Sequence, residues 1–201
     1  MLKKFLSGIS AGILISLGGS VFLACENRIA GAVFFCVALL CICYKGYSLF
    51  TGRVGYALRD ASKEYFSALG LGLLGNIAGT ALCGAAIRLA LPSLIDKAIA
   101  VCDPKLGQTF LQTLLRALFC GILMYLAVSI FAKHKTPVSI LWCVPAFILS
   151  GFEHCVADMF YFAVCGWPTL QGIAFLATAV LGNAIGALIL PLINPDERRP
   201  V

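Results

Sequence analysis

The chain has 201 residues, of which 61% are hydrophobic and 12% are charged, and its formal net charge is +6. A soluble domain of this size needs a mostly polar exterior that this composition does not supply, so an integral membrane protein is predicted. The basic residues lie mainly between the apolar segments and form no patch interleaved with aromatic residues, which argues against a nucleic-acid partner.

Six apolar segments have the length, about 20 residues, that a helix needs to cross a lipid bilayer. We call them spans 1 to 6, and they cover 5–24, 29–50, 66–91, 109–132, 137–163 and 170–193. Span 1 follows Lys3 and Lys4 as in a signal peptide, but its apolar run continues to Ala24 and further spans follow. It is therefore predicted to be retained as the first helix of a single membrane channel domain, 1–201.

The basic residues between the spans predict the orientation in the membrane. A cytoplasmic N-terminus places most of them on the cytoplasmic side, as the positive-inside rule requires. The cytoplasmic group is Lys3, Lys4, Arg53, Arg59, Lys63, Lys133, Lys135, Arg198 and Arg199, and the outer group is Arg28, Arg88, Lys97 and Lys105. We expect a multi-pass protein of the cell inner (cytoplasmic) membrane with both termini in the cytoplasm.

An internal repeat relates the two halves of the chain. The matching stretches are "GILISLGGSVF" from Gly12 with "GILMYLAVSIF" from Gly121, and "GNIAGTAL" from Gly75 with "GNAIGALI" from Gly182. Three spans per copy make the copies cross the membrane in opposite directions, which is the inverted-repeat plan of channels and transporters. Repeat one is expected over about 5–91 and repeat two over about 109–193.

Spans 2 and 5 each contain a segment that a plain membrane helix does not. Span 2 ends in "KGYSLFTGRVG", with glycines on both sides of Thr51, and span 5 contains the charged stretch "SGFEHCVADMF". Irregular backbone at membrane depth occurs only where protein buries it or where it lines a cavity. Two interrupted helices in equivalent repeat positions indicate a binding site, with half-helix N-termini that attract an anion.

These motifs together resemble those of the formate/nitrite transporter family. Thr51 in "LFTG" and His154 in "GFEHCVADM" stand where the two interrupted-helix motifs of the family stand, and Asn76 and Asn183 stand at its two Gly-Asn motifs. The resemblance implies an all-α, aquaporin-like inverted repeat of six transmembrane helices, three plus three, with spans 2 and 5 interrupted. It also implies a homopentamer in which each protomer has its own pathway for small anions.

The resemblance assigns the pathway residue by residue. The central histidine of the family corresponds to His154, the threonine that hydrogen-bonds it corresponds to Thr51, and the vestibule lysine corresponds to Lys105. The apolar constrictions correspond to Phe35, Leu39, Leu49 and Phe147. The residues expected to have structural roles at the broken helices are Glu153, Gly52, Asn76 and Asn183.

Three positions depart from the family pattern. The pore asparagine of span 4 is replaced by Gly121, which is expected to remove a hydrogen-bonding side chain from the pathway. An acidic residue often found before "LFT" is replaced by Ser48, and an asparagine that usually follows the histidine is replaced by Asp158. Asp158, Lys45 and Arg116 receive no assigned role in transport.

We expect a channel or transporter for small monovalent anions of weak acids, with formate, nitrite or hydrosulfide as the substrate. A bare anion loses much of its hydration free energy in an apolar neck, whereas the neutral acid does not. Lys105 is expected to concentrate the anion, which then crosses as the neutral acid or with a proton from His154 or from water. Glu153 is expected to accept backbone N–H groups of the broken helix.

Two other functions are weighed against this one. A metalloenzyme using Glu153, His154, Cys155 and Asp158 needs several convergent ligands, and the second histidine, His134, lies in a charged break between spans. No ATP-binding or redox-cofactor motif is present, and the ten cysteines lie mostly in apolar runs, so no cofactor is predicted. The alternative that stays open is a non-conducting structural membrane subunit with the same fold.

Overall fold

The computed structural model describes residues 1–166 and 169–194, and these residues are helical with short connections. The helices are α1 Leu2–Ala24, α2 Arg28–Lys45, α3 Phe50–Arg53, α4 Lys63–Ala90, α5 Leu94–Leu106, α6 Phe110–His134, α7 Val138–Ser150, α8 Cys155–Cys165 and α9 Leu170–Ile193, with a 3-10 helix, Val54–Leu58, after α3. Part of the predicted break after span 5 and the predicted cytoplasmic residues Arg198 and Arg199 lie outside the described residues.

The long helices follow the predicted spans. Helices α1, α2, α4, α6 and α9 are long and apolar enough to cross a membrane, and the pair α7 and α8, bent by 54°, adds a sixth crossing if it is one span. Spans 1, 3, 4 and 6 therefore correspond to α1, α4, α6 and α9. Span 2 is predicted to run to residue 50, but α2 ends at Lys45 and the chain continues through α3 and the 3-10 helix.

Both interruptions begin at a glycine in the left-handed region of backbone conformation. Gly46 ends α2 with φ 68°, and Gly151 ends α7 with φ 71°. Residues with a side chain rarely adopt this conformation, so each glycine stops its helix and turns the chain. The next helices, α3 and α8, then begin inside the protein a few residues later.

Close packing of glycine-rich helices holds each half together. Gly8 and Gly12 of α1 face Gly75 and Gly79 of α4, where an added Cβ would collide with backbone atoms of the opposite helix. Helices α6 and α9 approach in the same way. Small residues allow this approach, which supplies van der Waals contact and needs no hydrophobic effect in lipid.

The centre of the fold is α8, in which every residue from Cys155 to Val164 is buried. The break between spans 3 and 4, for which the sequence indicates only charged residues, forms the additional helix α5, which packs against α8. Large apolar side chains are exposed on the outside of the long helices, for example Phe34, Leu74 and Leu181. The arrangement is that of a membrane protein whose polar groups lie inside and whose apolar groups face outward.

Candidate functional site: a polar centre between two cavities

Two fully buried asparagines hold the starts of the inner helices. Asn76 Oδ1 accepts the backbone N–H of Phe50 at 2.9 Å, and its Nδ2 donates to the carbonyls of Gly8 and Ser48, both at 2.9 Å. The backbone of the chain between α2 and α3 loses its helical partners, and this side chain replaces them. Buried backbone groups need such partners, so Asn76 fixes the position of α3.

Asn183 has the same role at the second interruption. Its Oδ1 accepts the backbone N–H of Cys155 at 2.9 Å, and its Nδ2 donates to the carbonyls of Ala117 and Glu153, both at 2.8 Å. Each asparagine thus connects the first residue of an inner helix, the residue two before it, and a long helix of the same half. The arrangement fixes the residue between them, which is His154 in the second half.

His154 is buried and is hydrogen-bonded through both ring nitrogens. Its Nδ1 accepts the backbone N–H of Ala157 at 3.1 Å, which caps α8, and its Nε2 lies 2.9 Å from Thr51 Oγ1. Because Nδ1 is an acceptor, the proton of the neutral ring is assigned to Nε2, which then donates to Thr51. The ring also stacks on Phe147 with centroids 5.4 Å apart. The histidine is therefore held in one tautomer and one orientation.

A cavity of about 400 Å³ lies on one side of this centre, and we call it the Lys105 cavity. Its lining includes His154 and Phe147 at the inner end and Lys105, Glu153 and Asp158 along the wall. A second cavity of about 340 Å³, the Lys135 cavity, lies on the other side. The structure thus places the histidine at the end of one of two separate cavities.

Of the four predicted apolar constrictions, three line one of the two cavities: Phe147 the Lys105 cavity, and Leu39 and Leu49 the Lys135 cavity. Phe35 and Phe147 meet edge to face, with centroids 6.3 Å apart. Leu39 and Leu49 line the Lys135 cavity together with Gly52. Both aromatic rings and both leucines are buried, so the surroundings of the His154–Thr51 pair are mainly apolar.

Lys105 is paired with two carboxylates. Its Nζ contacts Glu153 Oε2 and lies 3.0 Å from Asp158 Oδ1, and the second Glu153 oxygen accepts from Gln108 Nε2 at 2.7 Å. Burial alone lowers the pKa of Lys105, but Asp158 and Glu153 outweigh it, and the pKa lies above its ordinary value. Lys105 is therefore charged at neutral pH, with both acids beside it.

Two sequence-based expectations are corrected by these contacts. The carboxylate of Glu153 binds Lys105 and Gln108 instead of backbone N–H groups, because the half-helix start is already satisfied by Asn183. Gly121 lines neither described cavity: a Cβ at this position would meet the backbone carbonyl of Asn183 in α9. It serves the packing of α6 on α9, and a side chain there would point at the α9 backbone.

Sequence reasoning misses several residues of the site. Asp158 receives no role in transport from its motif, yet it joins the Lys105 group, and Gln108 carries no sequence signal at all. Arg28 and Arg116 also line the Lys105 cavity. The available signal is the position of Arg116 inside an apolar span, where an ionisable residue indicates function.

Within the described residues, no group of three or more His, Cys, Asp and Glu side chains is arranged to hold a metal ion. The side chains that a metalloenzyme would use as ligands are bound to different partners within the protein. Glu153 and Asp158 bind Lys105, while His154 binds Thr51 and the α8 backbone. The cationic lysine occupies the place between the carboxylates that a metal ion would need.

Fold and site together define a multi-pass helical membrane transport protein, in which a polar centre separates two cavities. The sequence matches the family model described as formate/nitrite transporter over residues 1–194. The chain therefore belongs to the formate/nitrite transporter family. It is an anion channel or transporter and not an enzyme.

Individual relatives agree with this assignment. The uncharacterized transporter YwcJ of Bacillus subtilis is 28% identical, with 98% of this chain and 91% of the relative covered. The nitrite transporter NirC of Escherichia coli is 28% identical, with 96% of this chain and 81% of the relative covered. A solved pentameric formate channel with formate bound has the same fold, with a TM-score of 0.80, 24% identity, and coverage of 96% of this chain and 94% of that chain.

Proposed function

We propose that this chain conducts a small monovalent anion of a weak acid, with formate, nitrite or hydrosulfide as the substrate. The observation that carries the proposal is the His154–Thr51 pair, which lies in the apolar region between two cavities. A polar pair in that position offers hydrogen bonds to one small solute, whereas the buried residues around it exclude a large one. The formate and nitrite named for the relatives supply the first candidates.

The proposed route passes from the Lys105 cavity to the Lys135 cavity. The solute leaves the charged wall of the first cavity, passes Phe35 and Phe147, and reaches the His154–Thr51 pair. It then passes Leu39 and Leu49 and enters the second cavity. Because the apolar rings replace water at the narrowest part, the solute is dehydrated there.

Dehydration favours the neutral acid over the anion. Removing water disfavours the charged form, so the affinity of the anion for a proton rises as it enters the narrow region. The solute crosses as the neutral acid or together with a proton, and it ionises again in the opposite cavity. The proton comes either from His154 or from water, and His154 Nε2–H also offers a hydrogen bond to the solute when Thr51 turns away.

The test is solute uptake into liposomes that contain the purified protein. We expect stopped-flow light scattering to show rapid entry of formate, nitrite or hydrosulfide and slower entry of acetate. In His154→Asn the rate and its dependence on acidic against neutral pH are expected to change. His134→Asn is the matched control, because this exposed histidine at the end of α6 touches neither described cavity.

The same experiment addresses the non-conducting alternative. If folded wild-type protein conducts none of the four solutes faster than empty liposomes, the fold serves a structural subunit and the channel proposal is wrong. If His154→Asn conducts like the wild type with the same pH dependence, the channel stands and water supplies the proton. Purity and fold are checked by size-exclusion chromatography of each variant.

We further propose that the protein is a homopentamer of the inner membrane, with both termini in the cytoplasm and its apolar exterior in the lipid bilayer. The named pentameric relative supports the assembly, and the basic residues between the long helices support the orientation. The inverted repeat is supported by the equivalent roles of Asn76 and Asn183. In this orientation the Lys105 cavity opens to the outside and the Lys135 cavity opens to the cytoplasm.

A further inference from the structure

The wall of the Lys105 cavity has more acid than its lysine can balance. Lys105 contributes one positive charge, and Glu153 and Asp158 contribute two negative charges when both are ionised. In that state these three groups alone present a net negative site to an approaching anion. Lys105 therefore does not attract an anion by itself, because its charge is already engaged by two closer partners.

Two arginines reverse this balance. Arg28 and Arg116 are the other charged residues among those that line the cavity, and both are exposed at the surface. They bring the formal charge of the wall from negative to positive. Within the described residues, neither arginine has a carboxylate partner, so their charges act on the cavity.

Helix stability does not explain Arg28. It is the first residue of α2, whose first turn contains no acidic residue, and a cation at a helix N-terminus faces the positive end of the helix dipole. Its Nη2 donates to the carbonyl of Ile148 at 3.1 Å, in the last turn of α7. This bond holds the guanidinium in the cavity wall, beside the interruption in span 5.

Lipid contact does not explain Arg116 either. It lies six residues after the start of α6, about 9 Å along an apolar membrane helix, where a charge is costly. Its backbone carbonyl is next to the site, since the N–H of Glu153 donates to it at 3.4 Å. The side chain thus enters the cavity wall from the helix that supports the second interruption.

We propose that Arg28 and Arg116 form the anion-attracting mouth of the pathway and determine how strongly the anion enters it, a role that rests on the proposed channel function. The expected ligand is a small monovalent anion before dehydration. Lys105 then has a second role, because its charge balances one of the two carboxylates, Glu153 and Asp158, and so weakens their repulsion of the anion. The arginines act by charge, so their effect is greatest at low salt.

The test measures uptake of formate and nitrite into proteoliposomes over a range of anion concentrations, at low and high ionic strength. We expect Arg28→Gln and Arg116→Gln each to raise the half-saturating concentration about threefold and the double variant about tenfold, with little change in maximal rate. High salt is expected to remove most of the difference between the double variant and the wild type. The conservative variants Arg28→Lys and Arg116→Lys keep the charge and are expected to stay near the wild type.

Arg88→Gln is the matched control, because Arg88 belongs to the same predicted outer group of basic residues as Arg28 but lines none of the described cavities. A double variant that conducts with the half-saturation and salt dependence of the wild type contradicts the inference and leaves the channel function intact. An equal effect of Arg88→Gln also contradicts it, since a basic residue outside the cavity would then have the same influence on anion entry. A wild type without flux overturns the channel function and, with it, the role of the arginines.

Discussion

Single side chains hold the irregular backbone of the two interruptions. Asn183 satisfies the N–H of Cys155 and the carbonyl of Glu153 at the interruption and also binds a carbonyl of α6, and Asn76 makes the equivalent three bonds in the other half of the chain. A shorter residue cannot reach all three groups. Each asparagine therefore contributes more to the stability of the fold than a residue that makes a single hydrogen bond.

We predict that Asn183→Ala lowers the melting temperature of the detergent-solubilised protein strongly. Two buried backbone groups at the interruption, the N–H of Cys155 and the carbonyl of Glu153, lose their partner, and each unsatisfied group costs about 1–3 kcal/mol. The measurement is fluorescence-detected thermal unfolding, with Asn194→Ala, an exposed asparagine at the end of α9, as the control. Equal melting temperatures for the two variants would show that water replaces the amide at the start of α8.

A second prediction concerns Lys105. Lys105→Met leaves Glu153 and Asp158 buried without their cation, which is expected to cost about 3–5 kcal/mol and to reduce anion uptake. The double variant Lys105→Met/Asp158→Asn removes one acid and is expected to recover part of the melting temperature. Lys97→Met is the control, since Lys97 is an exposed lysine of the same helix that donates only to the carbonyl of Ala24 among the described residues. Failure of the double variant to recover would contradict the charge balance derived for the cavity.

The pH dependence of this ion pair follows from the raised pKa of Lys105. Its contribution to stability is complete below the pKa of an unfolded lysine, about 10.4, and is lost as the pH rises through the higher pKa of the folded protein. The difference in melting temperature between the wild type and Lys105→Met is expected to be constant from neutral pH to about pH 10 and to shrink above it. A difference that shrinks already between pH 7 and about pH 9 would be inconsistent with the raised pKa.

At the residue scale, some positions are predictable and others are not. The sequence indicates His154 and Thr51 because each lies in a motif that breaks an apolar span. The partners of Glu153 are not predictable, since Lys105 and Gln108 belong to the segment between spans 3 and 4, whose sequence indicates only a charged loop. Arg28 likewise reads as a loop charge, because nothing in its neighbourhood shows that it reaches the carbonyl of Ile148.

At the scale of elements, hydropathy predicts the long helices well and the short ones poorly. The length of an apolar run is set by the bilayer, so the ends of α1, α4, α6 and α9 follow from composition. Helix α5 has no such signal, because it is short, amphipathic and contains Pro104. Span 2 ends earlier than the predicted residue 50, because Gly46 is the one of the three glycines around Thr51 that takes the left-handed conformation and stops α2.

A prediction at the scale of elements concerns the packing of α6 against α9. Gly121→Ala places a Cβ against the backbone carbonyl of Asn183 and is expected to separate α6 from α9, with a loss of about 1–3 kcal/mol. Gly70→Ala in α4 is the control: it has no neighbour within 4 Å, and alanine is the better helix former there. The measurement compares melting temperature and expression yield. A harmless Gly121→Ala would return this residue to the pathway, where the family pattern places it.

At the scale of the whole molecule, the two halves share a backbone plan but differ in charge. Asn76 and Asn183 support equivalent interruptions, yet the second half carries Glu153, His154 and Asp158 where the first carries Ser48, Leu49 and Arg53. The repeat thus provides two half-helices that meet near the centre, and the differences between the copies provide the chemistry. The repeated motifs are visible in the sequence, whereas their three-way hydrogen bonds are not.

Orientation is testable with fusion proteins. If both termini are cytoplasmic, green fluorescent protein fused after residue 201 is expected to fluoresce, and alkaline phosphatase at the same position is expected to be inactive. A truncated chain that ends after Gly107, between α5 and α6, is expected to give the opposite result. Phosphatase activity at the full-length C-terminus would reverse the orientation and place the Lys105 cavity on the cytoplasmic side.

The assembly is the last prediction, and it follows from the position of the apolar exterior. Large apolar side chains are exposed on several long helices, including Leu17, Phe34, Leu74, Phe119 and Leu181. The outer surface of the chain is therefore apolar over a wide area. In a pentamer, part of that surface packs against neighbouring chains and the rest faces lipid, while each protomer keeps both of its cavities. Native mass spectrometry from mild detergent is expected to give about five times the mass of the 21.3 kDa chain. A monomer that conducts anions after reconstitution would show that the pathway within one chain is sufficient, and would contradict the pentamer as the working unit.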